Sequence, residues 1–117
     1  MSEEQALGQW LEHTDALVNE LLEDGSNPDK LHTIEHHFAS ESFEALEQAA
    51  IFAFKAGFEV EEPEEAVLED GTPVFAFDII TEQPLDVEIL SQETKDMFEL
   101  AAQCNVDYDG WGTYFEE

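Results

Sequence analysis

Leu31-His32-Thr33-Ile34-Glu35-His36-His37-Phe38 decides how the rest of the chain is read. Its centre, His32-Thr33-Ile34-Glu35-His36, spells H-x-x-E-H, which on a helix places two histidines on one face beside a glutamate and marks a class of zinc peptidases. On a strand the same letters mean something else. Ile34 and Phe38 share a parity with His32 and His36, while Thr33, Glu35 and His37 occupy the other, and no helical spacing runs through the segment. This alternation predicts a half-covered strand. Four residues apart on a strand, His32 and His36 stand about 13 Å from each other, too far to share one zinc. The segment therefore reads as a strand with partly exposed histidines, without metal or cofactor. A metal-dependent or small-molecule enzyme using His32, Glu35, His36 and Asp78 is the alternative.

Upstream, Ala6, Leu7, Trp10, Leu11, Thr14, Leu17, Val18, Leu21 and Leu22 recur at three and four residues, which predicts an amphipathic helix within 1–25 that ends at Gly25. Downstream, Ser40 has the chemistry of an N-cap. Phe43, Leu46, Ala50, Ala53 and Phe54 form the stripe of a second helix closing at Gly57. A strand starting at Phe58-Glu59-Val60 is interrupted or held at an edge by Glu61-Glu62-Pro63-Glu64-Glu65, because proline donates nothing to a ladder. Asp70-Gly71 then signals a tight hairpin into a strand carrying Phe75, Phe77 and Ile79 on one face. Leu90, Thr94, Met97, Phe98 and Ala101 give a third helix capped by Asp86 or Ser91, and Val106 to Phe115 closes the chain as an aromatic, glycine-broken strand.

Helix followed by β-α-β-β-α-β predicts an α+β fold of the ferredoxin-like, split βαβ type. Two helices should cover one face of a four-stranded antiparallel sheet, with the N-terminal helix as an addition. One domain over 1–117 is expected, with the N-terminal helix in 1–25 and the βαββαβ core in 31–115. The second sheet face is then either covered by the N-terminal helix or free for a partner, a dimerisation module included.

Charge narrows the function. Asp and Glu number 30 against 3 Lys and Arg, for a formal net charge of -27. Such a body repels nucleic acid and anionic membranes and attracts basic partners. Cys104 is the only cysteine, which excludes an internal disulfide and fits a reducing compartment; near Phe98, Leu100 and Ala101 it reads as a buried small residue. Without a leader-like start or a bilayer-length apolar run, the protein is expected in the cytoplasm. Nucleophile motifs and phosphate-cradling loops are missing, so no catalytic residue is assigned. Asp78, between Phe77 and Ile79, is the carboxylate expected to be semi-buried in a structural hydrogen bond.

The candidate contact residues are the acidic run Glu61, Glu62, Glu64 and Glu65, the pair Asp107 and Asp109 beside Trp111 and Tyr114, and Glu35 with His37 on the first strand. The aromatic group is preferred, since charge joined to aromatic area makes an anchor more readily than charge alone. Against that, Trp111 and Tyr108 are large aromatics of the kind that fill cores.

LLEDGSNPDKLHTIEHHF (21–38), AFKAGFEV (53–60), Phe77-Asp78-Ile79 and VDYDGWGTYFE (106–116) together resemble the bacterial regulator of ribonuclease E activity B family, from about Glu20 to Glu116. The resemblance implies a small cytoplasmic, non-enzymatic protein of ferredoxin-like fold. It would bind ribonuclease E, the endonuclease that organises the RNA degradosome, at its arginine-rich non-catalytic scaffold and reduce cleavage of a subset of transcripts. Family members often continue into a long acidic tail after this last motif, whereas the sequence here stops at Glu117.

Overall fold

The computed structural model describes residues 3–113. Its elements follow the expected order: α1 (Glu3–Glu23), β1 (His32–Ser40), α2 (Phe43–Lys55), β2 (Glu59–Val60), β3 (Glu64–Val67), β4 (Pro73–Gln83), α3 (Val87–Cys104) and β5 (Asp107–Gly112). The sheet runs β2-β4-β1-β5 with every pairing antiparallel, the ferredoxin-like arrangement with β1 and β4 in the centre. The expected edge strand is present as two pieces. β2 and β3 both pair with β4, Val60 opposite Ile79 and Glu64 opposite Ala76, so the Pro63 break makes five strands of an expected four.

Local chemistry sets the boundaries. Gly25, Gly57 and Asn105 all take positive φ just past their helices, and the next residue's N–H reaches back, as from Ser26 to Leu21 O and from Val106 to Ala101 O. Ser42, not Ser40, caps α2: its hydroxyl accepts from Ala45 N–H at 3.2 Å. Ser40 is held in β1 opposite Phe75, and its Oγ accepts the Ser42 N–H instead. Asp86 caps α3 through Glu88 and Ile89 N–H. At the hairpin, Gly71 has φ +87 and Leu68 N–H donates to Thr72 O, which sets Val67 opposite Pro73.

Alternation along β1 fixes the layers. His32, Ile34, His36, Phe38 and Ser40 are buried, and the residues between them are half-buried. Phe38 stacks on Phe77 at 5.1 Å, and with Ile79 they meet Leu46, Ala49, Ala53 and Met97 from α2 and α3. A second cluster lies under α1, where Val18 packs with Ile34, Leu85, Leu90 and Trp111. α1 thus joins the helical side, and among the described residues no helix covers the other sheet face. Two sequence expectations are corrected here. Phe43 and Phe54 are 45% and 72% exposed rather than core, because Leu46, Ala49, Ala50 and Ala53 supply the buried stripe of α2. His32 and His36 are both fully buried rather than partly exposed, because every ring nitrogen has a partner.

Candidate protein-interaction face

The open face is built from the alternate residues of β1 and their neighbours across the ladders. Glu35 lies opposite Ile80, His37 opposite Asp78, and Thr33 opposite Glu82. On one side Glu59 pairs with Ile80 and Glu64 with Ala76, while Glu61 N–H donates to Asp78 O and so continues the line of β2. On the other side Asp107 sits opposite Ala39 and Gly112 opposite Glu35. Glu61, Glu64 and Asp107 are exposed, as is Asp109. Glu61 and Glu64 of the acidic run and the Asp107–Asp109 pair, which sequence alone leaves unrelated, therefore flank the two edges of one surface with Glu35 and His37 between them. Glu62 falls in the break between β2 and β3, and Glu65, opposite Phe75, takes the other parity.

His37 Nδ1 lies 2.9 Å from Asp78 Oδ1, a hydrogen bond between two side chains of this face. The other carboxylates face solvent with no lysine on the sheet, because Lys30, Lys55 and Lys95 all lie outside its strands. No two of these carboxylates stand directly opposite each other in the ladders, so each is free to accept charge-assisted hydrogen bonds from a cationic group.

The aromatic half of the expected contact group is elsewhere. Trp111 is 4% exposed and its indole N–H donates to Thr14 Oγ1 at 2.9 Å, and Tyr108 is 7% exposed. They fill the core and fasten α1 rather than offering contact area. Tyr114 lies outside the described residues. β5 reaches this packing through a bulge opposite His37, where Gly110 has φ +88.

Beneath the face runs a polar chain that sequence reasoning missed. His36 Nε2 donates to Glu93 Oε1 at 2.6 Å, and Tyr108 OH bonds His36 Nδ1 at 3.0 Å. Thr81 and Gln83 also donate to Glu93. Burial raises the Glu93 carboxyl, but these hydrogen bonds and the charge of His36 outweigh it and hold its pKa below the ordinary 4.5. Burial pushes the Tyr108 hydroxyl well above its ordinary value, with the Glu93 charge adding to it. Thr14 and Thr94 inside otherwise apolar stripes were the readable signal: their hydroxyls bond each other at 2.9 Å.

H-x-x-E-H makes no peptidase site here, since Glu35 projects to the opposite face from His32 and His36. No cluster of three or more ligand-type side chains suits a metal among the described residues. Asp78 is semi-buried as expected, in its bond to His37. Cys104 is half-buried, and burial raises its thiol pKa, which disfavours the thiolate. No helix among the described residues is long and apolar enough to cross a membrane.

Comparison with known proteins finds relatives along nearly the whole chain. The family model described as "Regulator of ribonuclease activity B" matches residues 11–113. The Regulator of ribonuclease activity B of Colwellia psychrerythraea is 66% identical over 114 residues, covering 97% of this chain and 98% of that protein. The proteins of that name from Pseudoalteromonas translucida, 51% identical over 92% of this chain and 97% of theirs, and Salmonella typhi, 47% identical over 100% and 85%, extend the match. By the span and level of this identity, the chain belongs to the regulator of ribonuclease activity B family.

Proposed function

We propose that this protein is an acidic, non-catalytic inhibitor that binds ribonuclease E in the cytoplasm, at its arginine-rich scaffold, and so reduces cleavage of a subset of transcripts. The relatives' names support a role in regulating a ribonuclease. The observation that carries the mode of action is the open sheet face, where Glu35, Glu61, Glu64, Asp78 and Asp107 gather with no lysine or arginine on the sheet. Carboxylates so arranged stand in for RNA phosphates toward arginine side chains, and occupancy of the basic segment displaces the RNA. Nothing in this scheme needs a bond to be made or broken by the protein itself.

The test is co-sedimentation or pull-down with purified ribonuclease E across a sodium chloride series. Binding that weakens steadily as salt shortens the Debye length is expected. Absence of association at low salt, or association indifferent to salt, sinks the proposal.

A further inference from the structure

Helix α2 carries a second apolar stripe that the other described residues leave largely exposed. Phe43, Ile51 and Phe54 follow helical spacing along the flank that adjoins the buried stripe of Leu46 and Ala53, and they are 45%, 41% and 72% exposed. Phe43 meets the β4 residue Phe75 edge-on at 5.2 Å, so the stripe starts over the sheet and runs outward along the helix. Between it and the β2 edge, at Val60 and Pro63, lies a groove of about 460 Å³. Glu47, Glu61 and Glu62 stand along this groove against a single cation, Lys55. Exposed apolar area rimmed by charge marks an interaction site, and aromatics are the side chains that anchor one.

The charge of the molecule selects the occupant. A second copy would bring a further -27 to the same place, so self-association is opposed, and an anionic membrane is repelled for the same reason. We infer that the groove docks a short amphipathic segment of a protein partner. One or two leucine-sized or aromatic side chains seat among Phe43, Ile51 and Phe54, and arginine or lysine side chains meet Glu47, Glu61 and Glu62. The inference rests on the reading that this chain works by binding a basic protein, and it adds where the apolar anchors go. Glu61 borders both surfaces, since it continues β2 on the open face and lines the groove. A segment crossing the β2 edge therefore reaches both. The carboxylate face supplies attraction to any cation; the groove supplies discrimination and slow release.

Two fluorescein-labelled synthetic helical peptides test this: one with leucine and arginine at helical spacing, the other with serine replacing every leucine and the same charge. Fluorescence anisotropy should show the leucine peptide binding the wild type at least about tenfold more tightly. Phe54→Ser and Ile51→Ser should abolish that preference while leaving the serine peptide's binding unchanged. Both side chains are exposed, and circular dichroism verifies that each variant keeps its fold. Retention of the full preference by both variants overturns the inference. A dimer in sedimentation equilibrium that Phe54→Ser dissolves also overturns it, by giving the groove to a second copy. Purified ribonuclease E separates the two readings: if the wild type fails to bind it, the functional proposal falls while the peptide preference still decides the groove. If the wild type and both variants bind it equally, the groove is not used and the functional proposal stands.

Discussion

His36 Nε2 lies 2.6 Å from Glu93 Oε1 inside the protein, the imidazole fully buried and the carboxylate 10% exposed. Around this pair, Thr81 and Gln83 of β4 donate to the carboxylate and Tyr108 of β5 bonds the other ring nitrogen, so three strands and α3 meet at one polar node. A buried pair of this kind adds little net stability compared with apolar packing. Removing one member is expensive because the other is left desolvated without its partner. His36→Leu is therefore expected to destabilise the fold by about 3 kcal/mol, read from urea midpoints at pH 7.

The same node sets a pH dependence. Because the folded protein holds the Glu93 pKa below the ordinary 4.5, its carboxylate contributes stability that is fully present above that value and lost as pH falls through the lowered folded pKa. Glu93→Gln should lower Tm at pH 7, consistent with losing about 1–2 kcal/mol of charge-assisted hydrogen bonding. The gap between variant and wild type should then narrow as pH drops below 4.5. Acid also relieves the self-repulsion of a chain at -27, so only the difference between the two proteins, not the absolute curve, reports on Glu93. A gap that stays constant down to pH 3 would contradict the assignment.

The layers were legible because Ile34 and Phe38 share one parity of β1, whereas the full burial of His32 and His36 on that parity was not, since it depends on hydrogen-bond partners that the fold brings to their rings. Helix ends were equally clear at Gly25 and Gly57, where only the backbone freedom of glycine was needed to stop the helix. Periodicity failed on α2. Its stripe cannot distinguish Phe54 from Ala53 on hydrophobicity, yet the close approach of the helix to the sheet admits alanines and turns the phenylalanines outward. Glu93 could not be singled out among so many carboxylates, since its burial depends on partners on β1 and β4 that only the fold brings against α3. Joining the two acidic clusters on one face likewise required the register of five strands.

Gly110 should be the least replaceable residue of β5. Its φ is +88, and a Cβ there would stand 2.9 Å from Trp10 Cζ3. Gly110→Ala is expected to lose about 1–3 kcal/mol through backbone strain and overlap. Amide exchange should accelerate in α1, since Trp10 is part of what holds that helix against Tyr108. In a Trp10→Leu background the overlap disappears and the same substitution should be less damaging, leaving mainly the strain.

Zinc should not stabilise the fold through His32 and His36. His32 Nδ1 is 2.8 Å from Lys30 O and Nε2 is 2.9 Å from Ser26 Oγ, while both nitrogens of His36 are taken by Tyr108 and Glu93. A metal would have to break these bonds before it gained a ligand. Equimolar zinc is expected to leave Tm within about 1 °C, and a saturable rise at one zinc per chain would revive the metal-site reading.

Charge reversal on the open face separates local recognition from bulk attraction. Glu35→Lys with Asp107→Lys places two cations on that surface, whereas Glu12→Lys with Glu99→Lys makes the same change in net charge on exposed helical positions. If the protein merely draws basic partners by its overall field, the two double variants should bind ribonuclease E equally, because long-range steering sums over all charges. If arginine side chains pair with the sheet carboxylates, the open-face variant loses two charge-assisted contacts. Its affinity should then fall by about tenfold or more while the helical variant changes far less. Salt discriminates further. The loss in the open-face variant should shrink as ionic strength rises and screens the exposed pairs, so the two binding curves converge at high salt. Equal affinities at every salt concentration would assign the interaction to net charge and remove the sheet face from it.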